Sequence, residues 1–190
     1  MKGSRKFAIA TALAILFGFV GAPIFAQTTA PGPYYATPSW DQTLPASTRF
    51  IVLSNMSSEA VLDRETGLVW ERSPSTTQTD WFGALRHCIS LKVGGRKGWR
   101  LPTIQELMSL VDPSVPNPGP VLPNGHPFTN VLTLIGGSGA SYWSANTDVL
   151  GPTAAHAVGF FDGNEDPFSK TSSNFLVVWC VRGGQGVDPQ

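Results

Sequence analysis

The stretch Gly98–Leu107, G-W-R-L-P-T-I-Q-E-L, decides the fold, because its residues can be placed in structure almost one by one. Thr103 and Glu106 form a T-x-x-E capping box, in which the Thr103 hydroxyl accepts an early helix amide and the Glu106 carboxylate accepts the Thr103 N–H. A helix starts there. Pro102 keeps Leu101 extended, Ile104, Leu107, Met108 and Val111 supply an apolar helical face, and Asp112-Pro113 ends the helix. The spacing therefore predicts an extended strip, a sharp entry and a short amphipathic helix over 103–111. The ten residues contain no nucleophile–base pair and no metal-ligand cluster, so their role is architectural.

Working outward, Thr79 or Asp80 can cap a helix over 80–91 whose inner face carries Trp81, Ala84, Cys88 and Leu91, with Gly94-Gly95 as its stop. Residues 112–141 are rich in Pro, Gly and Asn and too long for a simple connection. Strands are expected at 49–53 and 67–71, flanking the turn Asp63–Gly67, and at 142–146, 155–161 and 174–182. Asp162-Gly163-Asn164 supplies a turn between the last two. The order predicts an α+β domain, with two helices packed on a mainly antiparallel sheet closed by the chain ends and a long irregular loop region.

Met1 to Ala26 has the parts of a secretory signal peptide: a basic start at Lys2, Arg5 and Lys6, an apolar run from Phe7 to Val20, and a small residue at Ala26. The apolar run falls short of the ~20 residues that span a bilayer, so the expectation is export, to periplasm, medium or cell surface, with no transmembrane span after cleavage. Without those three cations, 10 of the 13 Lys+Arg remain against 13 Asp+Glu, a net charge of −3 that excludes a general nucleic-acid binder. Residues 27–48, with Pro31, Pro33, Pro38 and Pro45 among small polar residues, read as a flexible linker. One domain follows over 49–184, and 185–190 is a tail.

Cys88 and Cys180 are the only cysteines. An even count in an exported chain favours a disulfide. Cys88 faces inward on its helix. Cys180 lies in a run where Leu176, Val178 and Cys180 share one face and Phe175, Val177, Trp179 and Val181 the other, so the run is expected to be buried on both sides. The alternative, a redox or catalytic pair, needs exposed electropositive thiols.

The blocks V-L-D-R-E-T-G-L-V-W (61–70), W-F-G-A-L-R-H-C (81–88), G-W-R-L-P-T-I-Q-E-L (98–107), Y-W-S-A-N (142–146) and W-C-V-R-G-G (179–184) together resemble the Lcl C-terminal-domain family, long a domain of unknown function. The resemblance implies a C-type-lectin-like fold, in which a cysteine on the first helix commonly bonds one in the final strand. It also implies a binding or adhesion module, not an enzyme, because the family's name member is a bacterial surface adhesin that binds sulfated glycans behind a collagen-like stalk. No Gly-X-Y stalk occurs here. The R-L-P-T and V-R-G-G blocks also look like those of formylglycine-generating enzymes, which makes an oxidase the runner-up; a structural envelope component without a small ligand is the third reading.

The expected partner is a glycan or surface protein met by the 112–141 loop. Trp143, beside that loop, is the candidate for stacking on a sugar, although an aromatic at that position is more often core. Arg96 and Lys97, in a segment from Arg86 to Arg100 without an acid, could supply charge to an anionic group. Asn117 and Asn124 sit in the Pro-Asn triplets Val115-Pro116-Asn117 and Leu122-Pro123-Asn124, which lack the carboxylate of the lectin calcium motif, so no cofactor is expected. Asp162, Asn164 and Asp166 form a D-x-N-x-D run for which calcium ligation is the lesser reading and a solvated turn the better one.

Overall fold

The computed structural model describes residues 44–183. The expected signal peptide over 1–26, the expected linker up to residue 43 and the expected tail lie outside the described residues. The fold is α+β and holds two four-stranded sheets where the sequence suggested one. In the first, β1 (Phe50–Val52), β2 (Ala60–Asp63), β3 (Val69–Glu71) and β10 (Val181–Arg182) pair antiparallel in the order β1-β2-β3-β10. In the second, β8 (Glu165–Ser169), β7 (Ala154–Gly159), β6 (Ser141–Thr147) and β9 (Leu176–Val177) follow in that order, with the β6–β9 pair parallel. A two-stranded hairpin, β4 (Leu134–Ile135) with β5 (Ser138–Gly139), lies within the long loop.

The last strand joins the two sheets. The expected strand 174–182 is split into β9 and β10, because residues 176–177 pair with β6 and residues 181–182 with β3. Its alternation holds: Leu176, Val178 and Cys180 enter one core cluster, and Val177, Trp179 and Val181 enter the other. Phe175 departs from the pattern, at positive φ and 39% exposed. One extended segment thus supplies side chains to both cores, since successive residues point to opposite faces. Trp179 centres the first core, with edge-on contacts to Trp70, Phe128 and Phe160 at centroid separations of 4.9–5.6 Å.

Two strands escape the sequence pattern. β2 was not expected between 53 and 67, and β8 follows the Asp162–Asn164 turn where the last strand was expected. The sequence of β8, E-D-P-F-S, is poor in strand formers. It can pair because it lies at the sheet edge, where Pro167 leaves no interior ladder bond unmade.

The helices match more closely. α2 (Trp81–Ser90) begins at Asp80, whose Oδ1 accepts the Gly83 N–H at 2.6 Å. α3 (Ile104–Met108) begins at the expected capping box: Thr103 Oγ1 accepts the Glu106 N–H at 3.2 Å, and Glu106 Oε2 accepts the Thr103 N–H at 2.8 Å. It ends earlier than 111. The amides of Leu110 and Val111 bond three residues back, and the Ser109 hydroxyl donates to the Glu106 carbonyl, which tightens the last turn out of α geometry. Thr103→Ala is expected to lower stability by about 0.5–2 kcal/mol. An unchanged urea midpoint would show that the cap contributes nothing.

The linker reading also needs correction at its end. Ala46–Arg49 form one helical turn, α1, within the stretch read as linker to residue 48. Arg49 is fully buried and holds that turn on the domain through Asp63 and the Ser109 carbonyl. No helix among the described residues is long and apolar enough to cross a membrane.

Candidate functional site

The long loop is pinned to the turn that directly follows β7. The Gly119 N–H donates to the Phe161 carbonyl at 2.8 Å and the Val121 N–H to the Phe160 carbonyl at 3.0 Å. Glycine is required at 119, because a Cβ there would meet the Phe160 carbonyl oxygen at 2.1 Å. Across the loop, the Asp112 N–H donates to the Val121 carbonyl, and Asp112 Oδ1 accepts both the amide and the hydroxyl of Ser114. These bonds hold open a cleft of about 550 Å³ between the loop and the turn after β7. Met108, Val111, Val115 and Val121 give it an apolar lining, with Asn117 and Asp162 as polar groups. A volume and lining of that kind suit a small ligand with a few directed polar contacts.

The cleft brings together Asn117 from the ligand-binding set and Asp162 from the D-x-N-x-D run. Asp162 accepts the Asn164 amide N–H at 3.1 Å on Oδ1 and the Asn164 side-chain amide at 2.7 Å on Oδ2. Asp166 is instead in β8, opposite Ala157, so the three residues form a bonded turn running into a strand. Asn124 is exposed on the same loop but does not line the cleft.

Trp143 must be withdrawn as a sugar platform. It has no exposed surface, its indole N–H donates to the Thr79 carbonyl at 2.9 Å, and it packs in the core containing Ala84 and Cys88 of α2. Proximity to the loop was misleading because β6 lies inside its sheet, between β7 and β9. Trp70, Trp99 and Trp179 are buried as well.

Arg96 and Lys97 are exposed in the turn closed by the Val93–Arg96 bridge, and neither lines the loop cleft. Arg86 and Lys92 are exposed too, and none of the four is ion-paired to a described residue. Arg100 is not available as a free cation. Its guanidinium grips Glu106 through two bonds of 2.7 and 2.6 Å and donates to the Gly183 carbonyl, tying the capping box to the residue that follows β10.

A second cleft, of about 450 Å³, reaches a residue that the sequence reading missed. Glu71, at the end of β3, lines it together with Glu59, Arg72 and Thr129, yet is only 5% exposed. Burial raises its pKa from 4.5 to about 7, and the Cys180 N–H, donating to Oε2 at 2.7 Å, opposes part of that rise. Below pH 4.5 the carboxyl is protonated in folded and unfolded chains alike. Between there and pH 7 the folded chain keeps a proton that the unfolded chain has lost, so stability falls as pH rises, by about 3 kcal/mol in all. Glu71→Gln keeps an acceptor for Cys180 and is expected to flatten the change in urea midpoint between pH 5 and 8. An undiminished slope would remove Glu71 as its source.

The expected bridge is present: Cys88 and Cys180 are bonded with their Cα atoms 5.5 Å apart, and neither is exposed. His87 of α2, beside Cys88 in the chain, is half-buried, with its Nε2 shielded from solvent.

Residues 59–182 match the family model described as the Lcl C-terminal domain. No curated protein matches the chain. β1 precedes the matched range yet completes the first sheet.

Proposed function

We propose that this chain, which belongs to the Lcl C-terminal domain family, is an exported, non-catalytic binding module that takes a glycan in the cleft formed by the long loop and the Asp162–Gly163 turn. The observation that carries the reading is the construction of that cleft. Its walls are mostly irregular chain, and irregular chain is where binding surfaces vary, yet backbone bonds fasten it to the turn that directly follows β7. Val111, Val115 and Val121 offer apolar area to sugar C–H groups, and Asn117 offers both donor and acceptor to hydroxyls.

The scaffold is read as C-type-lectin-like. A first long helix bridged by a disulfide to the last strand, and an extended loop inserted between the helices and the later strands, support that assignment. The disulfide also supports export to an oxidising compartment. Non-catalytic function is supported by the cysteines being joined and unexposed, whereas a reactive thiol needs access and a positive surrounding.

The test is a glycan array probed with the mature protein, with and without chelator and at two salt concentrations. Binding is expected to survive chelator. Asn117→Ala is expected to weaken it by about 2- to 10-fold, the worth of one hydrogen bond of ~0.5–1.5 kcal/mol. Binding that needs calcium, or a folded Asn117→Ala protein with full affinity, would count against this cleft.

A further inference from the structure

We infer that Cys88, Cys180, His87 and Glu71 form a latent zinc site that becomes available when the disulfide is reduced. Among the described residues, one group of three potential ligands has all its donor atoms within 4.8 Å of one another: a carboxylate oxygen of Glu71, a ring nitrogen of His87 and Sγ of Cys180. Cys88 adds a fourth donor, since its sulfur is bonded to that of Cys180. The four come from α2, β3 and the segment between β9 and β10, so the fold assembles them from three separate stretches of chain.

Two thiolates, one imidazole and one carboxylate make a donor set suited to tetrahedral zinc. Zinc bond lengths of about 2.0–2.3 Å place tetrahedral ligands roughly 3.3–3.8 Å apart. The observed separations, within 4.8 Å, must draw in by about 1 Å at most to reach that range, and the two sulfurs must be released from each other. His87 Nε2 is buried without a hydrogen-bond partner, a cost that a metal ion would relieve. Burial lowers the His87 pKa and so favours the neutral imidazole, which is the ligating form. The bound disulfide explains why the cluster holds no metal-binding thiolate while oxidised.

The reduction is a thiol–disulfide exchange with a dithiol. One dithiol sulfur attacks the Cys88–Cys180 bond and forms a mixed disulfide; its second sulfur displaces the remaining protein sulfur. The dithiol leaves oxidised, and Cys88 and Cys180 each carry a proton. Zinc then replaces those two thiol protons and, where Glu71 is still protonated, its carboxyl proton, all of which pass to solvent. Glu71 links the bridge to the second cleft: it lines that cleft and holds a carboxylate oxygen within 4.8 Å of the Cys180 sulfur.

The test uses the mature protein reduced anaerobically with dithiothreitol, freed of it by gel filtration, and titrated with zinc against a chromophoric chelator. Uptake of one zinc per reduced chain is expected, with binding at least 100-fold weaker in the disulfide form. His87→Ala and Glu71→Gln should each weaken zinc by tenfold or more while leaving the oxidised fold intact by circular dichroism. Cobalt in place of zinc should give thiolate charge-transfer absorption. The inference is overturned if native protein resists reduction, if the reduced protein takes up no stoichiometric zinc or unfolds without zinc restoring it, or if both variants bind zinc as tightly as the parent.

Discussion

Asp63→Ala is expected to destabilise the domain by about 3–5 kcal/mol, the usual cost of stripping one partner from a buried ion pair. The Arg49 guanidinium has no exposed surface and meets Asp63 through two bonds, Nε to Oδ1 at 3.0 Å and Nη2 to Oδ2 at 2.8 Å. Glu65 approaches the same Nε at 3.2 Å, and the Ser109 carbonyl accepts from Nη2 at 2.7 Å. Removing Asp63 leaves a buried cation with one carboxylate and one carbonyl. The pair itself need not be worth that much, because both charges were desolvated to form it. Because Glu65 also rests on the guanidinium, an Arg49→Met/Asp63→Leu/Glu65→Gln protein, with no buried charge left unpaired, should recover much of the loss. Guanidinium unfolding of the single and triple variants decides the matter; a single variant within 1 kcal/mol of the parent would mean that Arg49 finds solvent in the native state.

Loss of the disulfide should be of similar size. Cys180→Ser or Cys88→Ser is expected to cost about 2–5 kcal/mol, with the chain-entropy model near the upper end for a loop this long. The bridge spans 92 residues and ties α2 to the segment that serves both sheets. The loss should be felt in both cores, since that one segment packs into each. Urea unfolding measures it. Denaturing thiol titration of unreduced parent protein should find no free thiol, and two thiols per chain would show that the bridge does not form.

The parts of this fold legible in sequence are those whose partners are local or whose period is simple. The Thr103–Glu106 box involves residues three apart, so its geometry follows from helix geometry alone. The alternation from Leu176 to Val181 survived because a strand buried on both faces still sends successive side chains opposite ways. β8 was not legible, because an edge strand can tolerate Asp and Pro that an interior strand could not.

Of the candidate site, Asn117 and the loop were legible as irregular chain rich in Pro and Gly, and the structure places Asn117 on the cleft. Trp143 was misread because neighbourhood along the chain says nothing of whether a strand is central or peripheral. Glu71 was missed for a related reason: a carboxylate after a strand tryptophan reads as solvated. What buries it is a segment more than a hundred residues away, whose Cys180 N–H donates to it and whose Trp179 indole donates to its carbonyl. Only knowledge that β3 pairs with the last strand would have signalled it.

The central claim, that ligand meets the cleft under the long loop, is tested most directly by titrating nitrogen-15-labelled protein with the tightest glycan from the array and following the amide spectrum. Shifts concentrated at Val111, Val115, Asn117, Val121 and Gly163 are the expected result. Shifts concentrated at Val93–Lys97 or around Glu71, with the loop amides unmoved, would contradict it.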